Sequence, residues 1–135
     1  MKTLKYTLTL IIVLALGLGL SSATKNHLLQ FEETSYDFGT ISDKHEPVVH
    51  EYEFVNTAKE PVAILSVSTG CGCTRPDYPV KPVAPGEKGK IKITFLPKGQ
   101  KGYINKDITV RYRSATAKSS KRITLRLRGN VTIEK

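Results

Sequence analysis

Tryptophan is absent from this chain of 135 residues, and cysteine occurs only twice, as Cys71 and Cys73 with a single glycine between them. Together these shortages exclude an antibody-type domain, whose two sheets are joined by a distant cysteine pair packed on a buried tryptophan. Two cysteines are also too few for the disulfide framework of a small secreted scaffold, and for the four ligands of structural zinc. No helical period is found beyond the first two dozen residues. There is no nucleophile elbow, no cofactor fingerprint, and no base with an orienting acid beside it. Asp37-Phe38-Gly39 spells a kinase magnesium motif, but the chain has no glycine-rich loop and is too short for a kinase. His45 and His50 suggest a zinc-protease signature until their spacing is counted as five rather than four, with Pro47 opposing the helix such a pair needs.

What the chain does contain begins with a leader. Lys2 and Lys5 precede an apolar run from Leu8 to Leu20, and Ser21-Ser22-Ala23 offers small residues for cleavage. Residues 1–23 are expected to be a signal peptide and residues 24–135 a single exported domain, periplasmic or at the cell surface, with no membrane span once the leader is removed. An uncleaved anchor is the alternative, because Tyr6 to Thr24 is free of charge and just long enough to span a bilayer. Charge is unevenly divided over the mature part. Residues 24–84 carry 5 basic and 9 acidic side chains, and residues 85–135 carry 14 basic and 3 acidic.

Alternating segments then follow one another. Leu28 to Glu33 and Tyr36 to Ile41 read as a first strand broken at Thr34-Ser35. Val48 to Asn56, Lys90 to Pro97, Ile108 to Arg113 and Ile123 to Arg128 each have the two-residue period of a half-buried strand. Val62 to Ser68, apolar and β-branched, reads as a central strand buried on both sides. Pro76, Pro79, Pro82 and Pro85 recur at the polyproline interval and mark a crossover or edge segment. Pro85-Gly86 suits the centre of a type II turn. About seven short strands without a helix predict an all-β, immunoglobulin-like β-sandwich.

Two stretches are candidates for function. Cys71 and Cys73 leave several chemistries open: buried or free thiols, a redox-active disulfide, a link to another molecule, or a soft-metal site for Cu(I) or zinc. As a disulfide the closed loop would contribute only about 1.6 kcal/mol by chain entropy, so stability is not its purpose. The second candidate is a basic surface. Arg111 and Arg113 share the outward face of one strand, and Arg126 and Arg128 that of its expected hairpin partner. Nucleic acid fits such a face poorly here, because the chain is exported and no aromatics are interleaved for base stacking. An envelope protein, an anionic glycan or a lipid surface fits better, and the bland reading is a solvated face that keeps the sheet soluble.

The ordered set Tyr36-Asp37-Phe38-Gly39-Thr40-Ile41, Phe54-Val55-Asn56-Thr57, Cys71-Gly72-Cys73-Thr74-Arg75-Pro76, Pro85-Gly86-Glu87 and Leu127-Arg128-Gly129 resembles the bacterial family called domain of unknown function 1573. The resemblance spans the mature chain. It implies an exported immunoglobulin-like domain, similar in plan to pilus chaperones and major sperm protein, and it carries no activity with it. The expected role is therefore a non-catalytic interaction or assembly module of the bacterial envelope. A thiol redox or Cu(I)-handling protein using Cys71 and Cys73 is the alternative.

Overall fold

Alternation of apolar and polar side chains builds eight strands over residues 27–135, the part of the chain that the computed structural model describes. The leader expected over residues 1–23 lies outside the described residues. The strands are β1 (Leu29–Phe31), β2 (Ser35–Ser42), β3 (Val48–Asn56), β4 (Val62–Ser68), β5 (Thr74–Asp77), β6 (Lys88–Phe95), β7 (Gly102–Ser114) and β8 (Lys121–Thr132). They form two four-stranded sheets, one ordered β1-β3-β6-β5 and the other β2-β8-β7-β4. The expected sandwich is present, with one strand more than the seven anticipated.

The extra strand is β5, in the stretch read as a crossover or edge segment, and the break at Thr34-Ser35 separates β1 from β2. β1 pairs antiparallel with β3, while β2 pairs parallel with β8 in the opposite sheet. Glu32 donates its amide to Glu53 O at 3.0 Å, and two residues later Thr34 O accepts from Arg126 N at 2.8 Å, so the chain changes sheets within one turn. Between the sheets Tyr52, Phe54, Ile91, Ile93 and Phe95 face Ile108, Val110, Tyr112, Leu125 and Leu127, all nearly fully buried. Each such side chain contributes about 1.5–3 kcal/mol through the water it leaves. The polar tip of Tyr52 is satisfied across the sandwich, its hydroxyl donating to Arg126 O at 2.7 Å. Burial also raises the Tyr52 phenol well above its ordinary range, since an anion there would lose its water.

Three of the sequence motifs turn out to be structural fittings. Gly39, at φ +75°, forms the bulge that interrupts the β2–β8 register, and its amide donates to Asp37 Oδ1 at 2.8 Å. Phe38 lies on the inner face with Tyr36, where its ring stacks on Phe95 with centroids 5.2 Å apart and lies where a Gly129 side chain would otherwise be. Asn56 is the second fitting. It is 1% exposed, and its Nδ2 donates to Glu60 O at 3.0 Å and Val83 O at 2.9 Å while Oδ1 accepts from Ala58 N at 2.9 Å. The Pro85-Gly86 turn is the third. Glu87 N donates to Ala84 O at 3.0 Å, Gly86 has φ +75°, and Gly86 N donates to Asn56 O at 2.8 Å.

β4 does not sit where its composition suggests. It is an edge strand, paired only with β7 apart from a single bridge between Val62 and Val83. A register shift between Ile64 and Ser66 breaks the alternation, so Val62, Ile64 and Val67 point inward and Leu65 is turned out, 36% exposed. The apolar run therefore reflects a bulge in a one-sided strand rather than burial on both faces. The prolines behave as a crossover does. The chain leaves β4 in one sheet, forms the opposite edge as β5 with Pro76 beside Ile93, and returns to β4 at Val83. An edge tolerates Pro76 because its missing amide would have faced solvent.

Candidate functional site

The loop from β4 to β5 carries both cysteines, and they are joined to each other as a disulfide. Gly70 opens the loop at φ +65°, a conformation that side chains resist. Thr69 then clamps it, its hydroxyl lying 3.2 Å from Cys71 O and 3.0 Å from Thr74 O. On the far side Cys73 O accepts from Leu96 N at 2.8 Å, which ties the loop to the end of β6. Both cysteines are half-buried and Gly72 between them is exposed, but only Cys73 packs on the core. Cys71 Sγ accepts a hydrogen bond from Cys73 N at 3.1 Å, and Thr74 Oγ1 lies 3.7 Å from Cys73 Sγ. No acidic residue occurs from Pro61 to Pro76, and Arg75 follows the pair closely.

Phe95 is opposite Val48 on one side of β6 and opposite Thr74 on the other. The disulfide loop and the β2–β3 loop therefore flank the same end of β6. There an open depression of about 620 Å³ is lined by Lys44, His45, Glu46, Pro47, Leu96 and Pro97 among others. His45 and His50 serve separate purposes. His45 Nδ1 lies 2.6 Å from Glu46 O, whereas His50 stacks on Tyr36 at 3.7 Å and meets Glu33 Oε1 at 2.5 Å. Among the described residues no three His, Cys, Asp or Glu side chains converge as a metal site would require. The two sulfurs are bonded to each other, so thiolate ligation of Cu(I) or zinc would first require their reduction.

The arginines occupy the outer face of the β2-β8-β7-β4 sheet in two groups. Arg111 is directly opposite Arg122, with Arg113 next along its own strand and beside Ala63 of β4. Arg126 is opposite Asp107, four residues from that row and so roughly 13 Å away at the rise of a strand. Its Nε lies 3.2 Å from Asp107 Oδ1, an exposed pair worth well under 1 kcal/mol. Arg128 is opposite Asp37 and Asn105, and its buried Nε has no hydrogen-bond partner. Sequence reasoning passed over Arg122, which the register of the β7–β8 hairpin places against Arg111. Among the described residues no carboxylate pairs with Arg111, Arg113 or Arg122. The outer face of the other sheet is of mixed sign, with Lys90 3.0 Å from Glu51 and Lys92 3.8 Å from Asp77. No helix among the described residues is long and apolar enough to cross a membrane.

Against known proteins, the family model described as Protein of unknown function (DUF1573) matches residues 29–131. No curated protein matches the sequence. Among solved structures, a protein of unknown function from Porphyromonas gingivalis W83 is 18% identical with a TM-score of 0.63, over 76% of this chain and 46% of that one. The chain thus spans just under half the length of that protein. The ASH/PapD-like domain 7 of human CEP192 is 16% identical with a TM-score of 0.66, over 87% of this chain and 96% of that one. The Escherichia coli chaperone DraB is 12% identical with a TM-score of 0.51, over 75% of this chain and 53% of that one. At these identities the likeness is one of fold.

Proposed function

This chain belongs to the DUF1573 family, and from that premise we propose that it is a non-catalytic module of the bacterial envelope that binds an acidic protein through the β4 edge and the arginines beside it. One observation carries the reading. Among the described residues β4 has no charged residue, keeps an open edge from Ala63 to Ser68, and is bordered by Arg111 and Arg113 of β7 with Arg122 opposite Arg111, and none of the three pairs with a carboxylate. The other edges are better defended: β5 by Pro76, β2 by the Gly39 bulge, and β1 by its length of three residues. An extended segment added to β4 would satisfy the free amides and carbonyls, and carboxylates on its outer face would meet the guanidiniums. A glycan or lipid headgroup would use the charge and leave the edge idle, which is why a protein is favoured. A second copy of this chain would bring arginine rows together and be repelled. The fold is one that a chaperone also uses, which is consistent with protein binding.

Export rests on the leader, so the test belongs in cells. A photo-crosslinker at Ser66 should capture an acidic envelope protein, and one at Glu53 on the opposite sheet should not. Arg111→Glu together with Arg113→Glu should abolish that capture. Capture that survives the charge reversal would overturn the surface, and so would binding to anionic vesicles without any protein partner. Full-length chain recovered in the cytoplasm would overturn the compartment.

A further inference from the structure

We propose that Cys71–Cys73 is a thiol–disulfide exchange site whose substrate is a protein dithiol with apolar flanking residues. Four observations converge on it. The pair closes so short a loop that its entropic contribution to stability is only about 1.6 kcal/mol, too little to explain a disulfide in a domain with a full core. The loop is half-exposed and its backbone is held by Thr69 and Leu96 independently of the sulfurs, so the fold does not depend on their bond. Each sulfur has its own donor for negative charge: Cys73 N at 3.1 Å for Cys71, and the Thr74 hydroxyl at 3.7 Å for Cys73. Finally, the depression lined by Pro47, Leu96 and Pro97 lies at the same end of β6 as the disulfide loop and offers apolar surface to residues flanking a substrate cysteine.

The exchange runs in two displacements. A substrate thiol loses its proton to solvent, and its thiolate attacks Cys71 Sγ, the sulfur not packed on the core. A substrate–Cys71 bond forms, the Cys71–Cys73 bond breaks, and Cys73 departs as a thiolate beside the Thr74 hydroxyl. The second substrate thiolate then attacks the substrate sulfur in the mixed disulfide and expels Cys71 as a thiolate toward the Cys73 amide. The substrate is oxidised to its disulfide, Cys71 and Cys73 are reduced to two thiols after taking up two protons, and the reverse exchange with a more oxidising disulfide restores them.

The probe is a reduced peptide bearing two cysteines flanked by leucines, compared with one flanked by glutamates and with dithiothreitol. Loss of the protein disulfide should be followed by thiol titration, and folding by circular dichroism in the same sample. The leucine peptide should reduce the folded protein about tenfold faster than the glutamate peptide, while dithiothreitol reacts irrespective of the depression. With the same peptide supplied in its oxidised, disulfide form, the Cys71 thiolate of Cys73→Ser should displace one peptide cysteine as a thiolate and trap a mixed disulfide, and Cys71→Ser should trap it about tenfold more slowly. A bond that resists all three reductants until the protein unfolds would overturn the proposal. Equal rates for the two peptides would overturn its substrate class, and faster trapping by Cys71→Ser would reverse the order of attack. Changing both cysteines to serine should leave the folded signal unchanged and abolish exchange; an unfolded double variant would show the bond to be structural.

Discussion

Replacing Asn56 by alanine removes three hydrogen bonds at once from a side chain that is itself buried, one of them fully and two partly shielded from water. The amide group is donor to Glu60 O and Val83 O and acceptor from Ala58 N, and so joins the end of β3 to the turn before β4 and to the crossover at Val83. The three losses are unequal. Val83 O keeps a second donor in Val62 N at 3.0 Å, and Ala58 is half-exposed, whereas Glu60 O has no other donor among the described residues. At about 1 kcal/mol per bond, with a further penalty for the orphaned carbonyl, the loss sums to about 3–4 kcal/mol. For a domain of this size that lowers Tm by roughly 10–20 °C. Urea denaturation followed by circular dichroism measures it, and an unchanged m-value would confirm that only stability has moved. Asn56→Asp sharpens the test, because it keeps the volume while aiming a carboxylate at two carbonyl oxygens. It should be at least as destabilised as the alanine variant at neutral pH. Its carboxyl would have a folded pKa raised above the unfolded value, so the penalty should ease as pH falls through that raised value. An alanine variant within about 1 kcal/mol of the parent, or an aspartate variant that is well tolerated at pH 7, would refute the role given to Asn56.

Gly129→Ala should cost about 2–3 kcal/mol because a methyl there overlaps the Phe38 ring, and adding Phe38→Leu should recover part of it; a neutral single variant in thermal melts would mean the ring has room to move. Ile93→Ala, Val110→Ala and Leu125→Ala, each at a site 1% exposed or less, should lose about 2–4 kcal/mol in denaturant titrations, and surface-like losses would contradict the register. Tyr52 holds its proton more tightly folded than unfolded, as burial dictates, so its contribution is complete below about pH 10 and is lost as pH rises through the folded value. Tyr52→Phe should therefore flatten the fall of stability above that pH, and an unaltered alkaline profile would count against the buried phenol as its source.

The share of this architecture that was legible in the sequence follows from side-chain period. Alternation in Lys90 to Pro97, Ile108 to Arg113 and Ile123 to Arg128 identified the inward residues correctly, because a register slip of one would have buried arginines without partners. The same logic failed at β4. A run of apolar residues looks alike whether a strand is covered on both faces or carries a bulge, and only the pairing with β7 distinguishes them. The arginines show a similar limit. Period alone put Arg111, Arg113, Arg126 and Arg128 on one face, but it could not supply the hairpin register that sets Arg111 against Arg122 and Arg126 against Asp107.

Sequence by itself determined that this is an all-β domain of one family with a tight cysteine pair after an apolar strand, since those properties rest on local period, turn residues and spacing. Tertiary structure alone decided how the distant pieces meet. Asn56 acquired its partners from Glu60 and Val83, Phe38 met Gly129 across two strands, and the disulfide loop came to lie beside a depression built from another turn. Contacts of that kind depend on strand order and register between segments tens of residues apart, and a linear pattern contains no term for either.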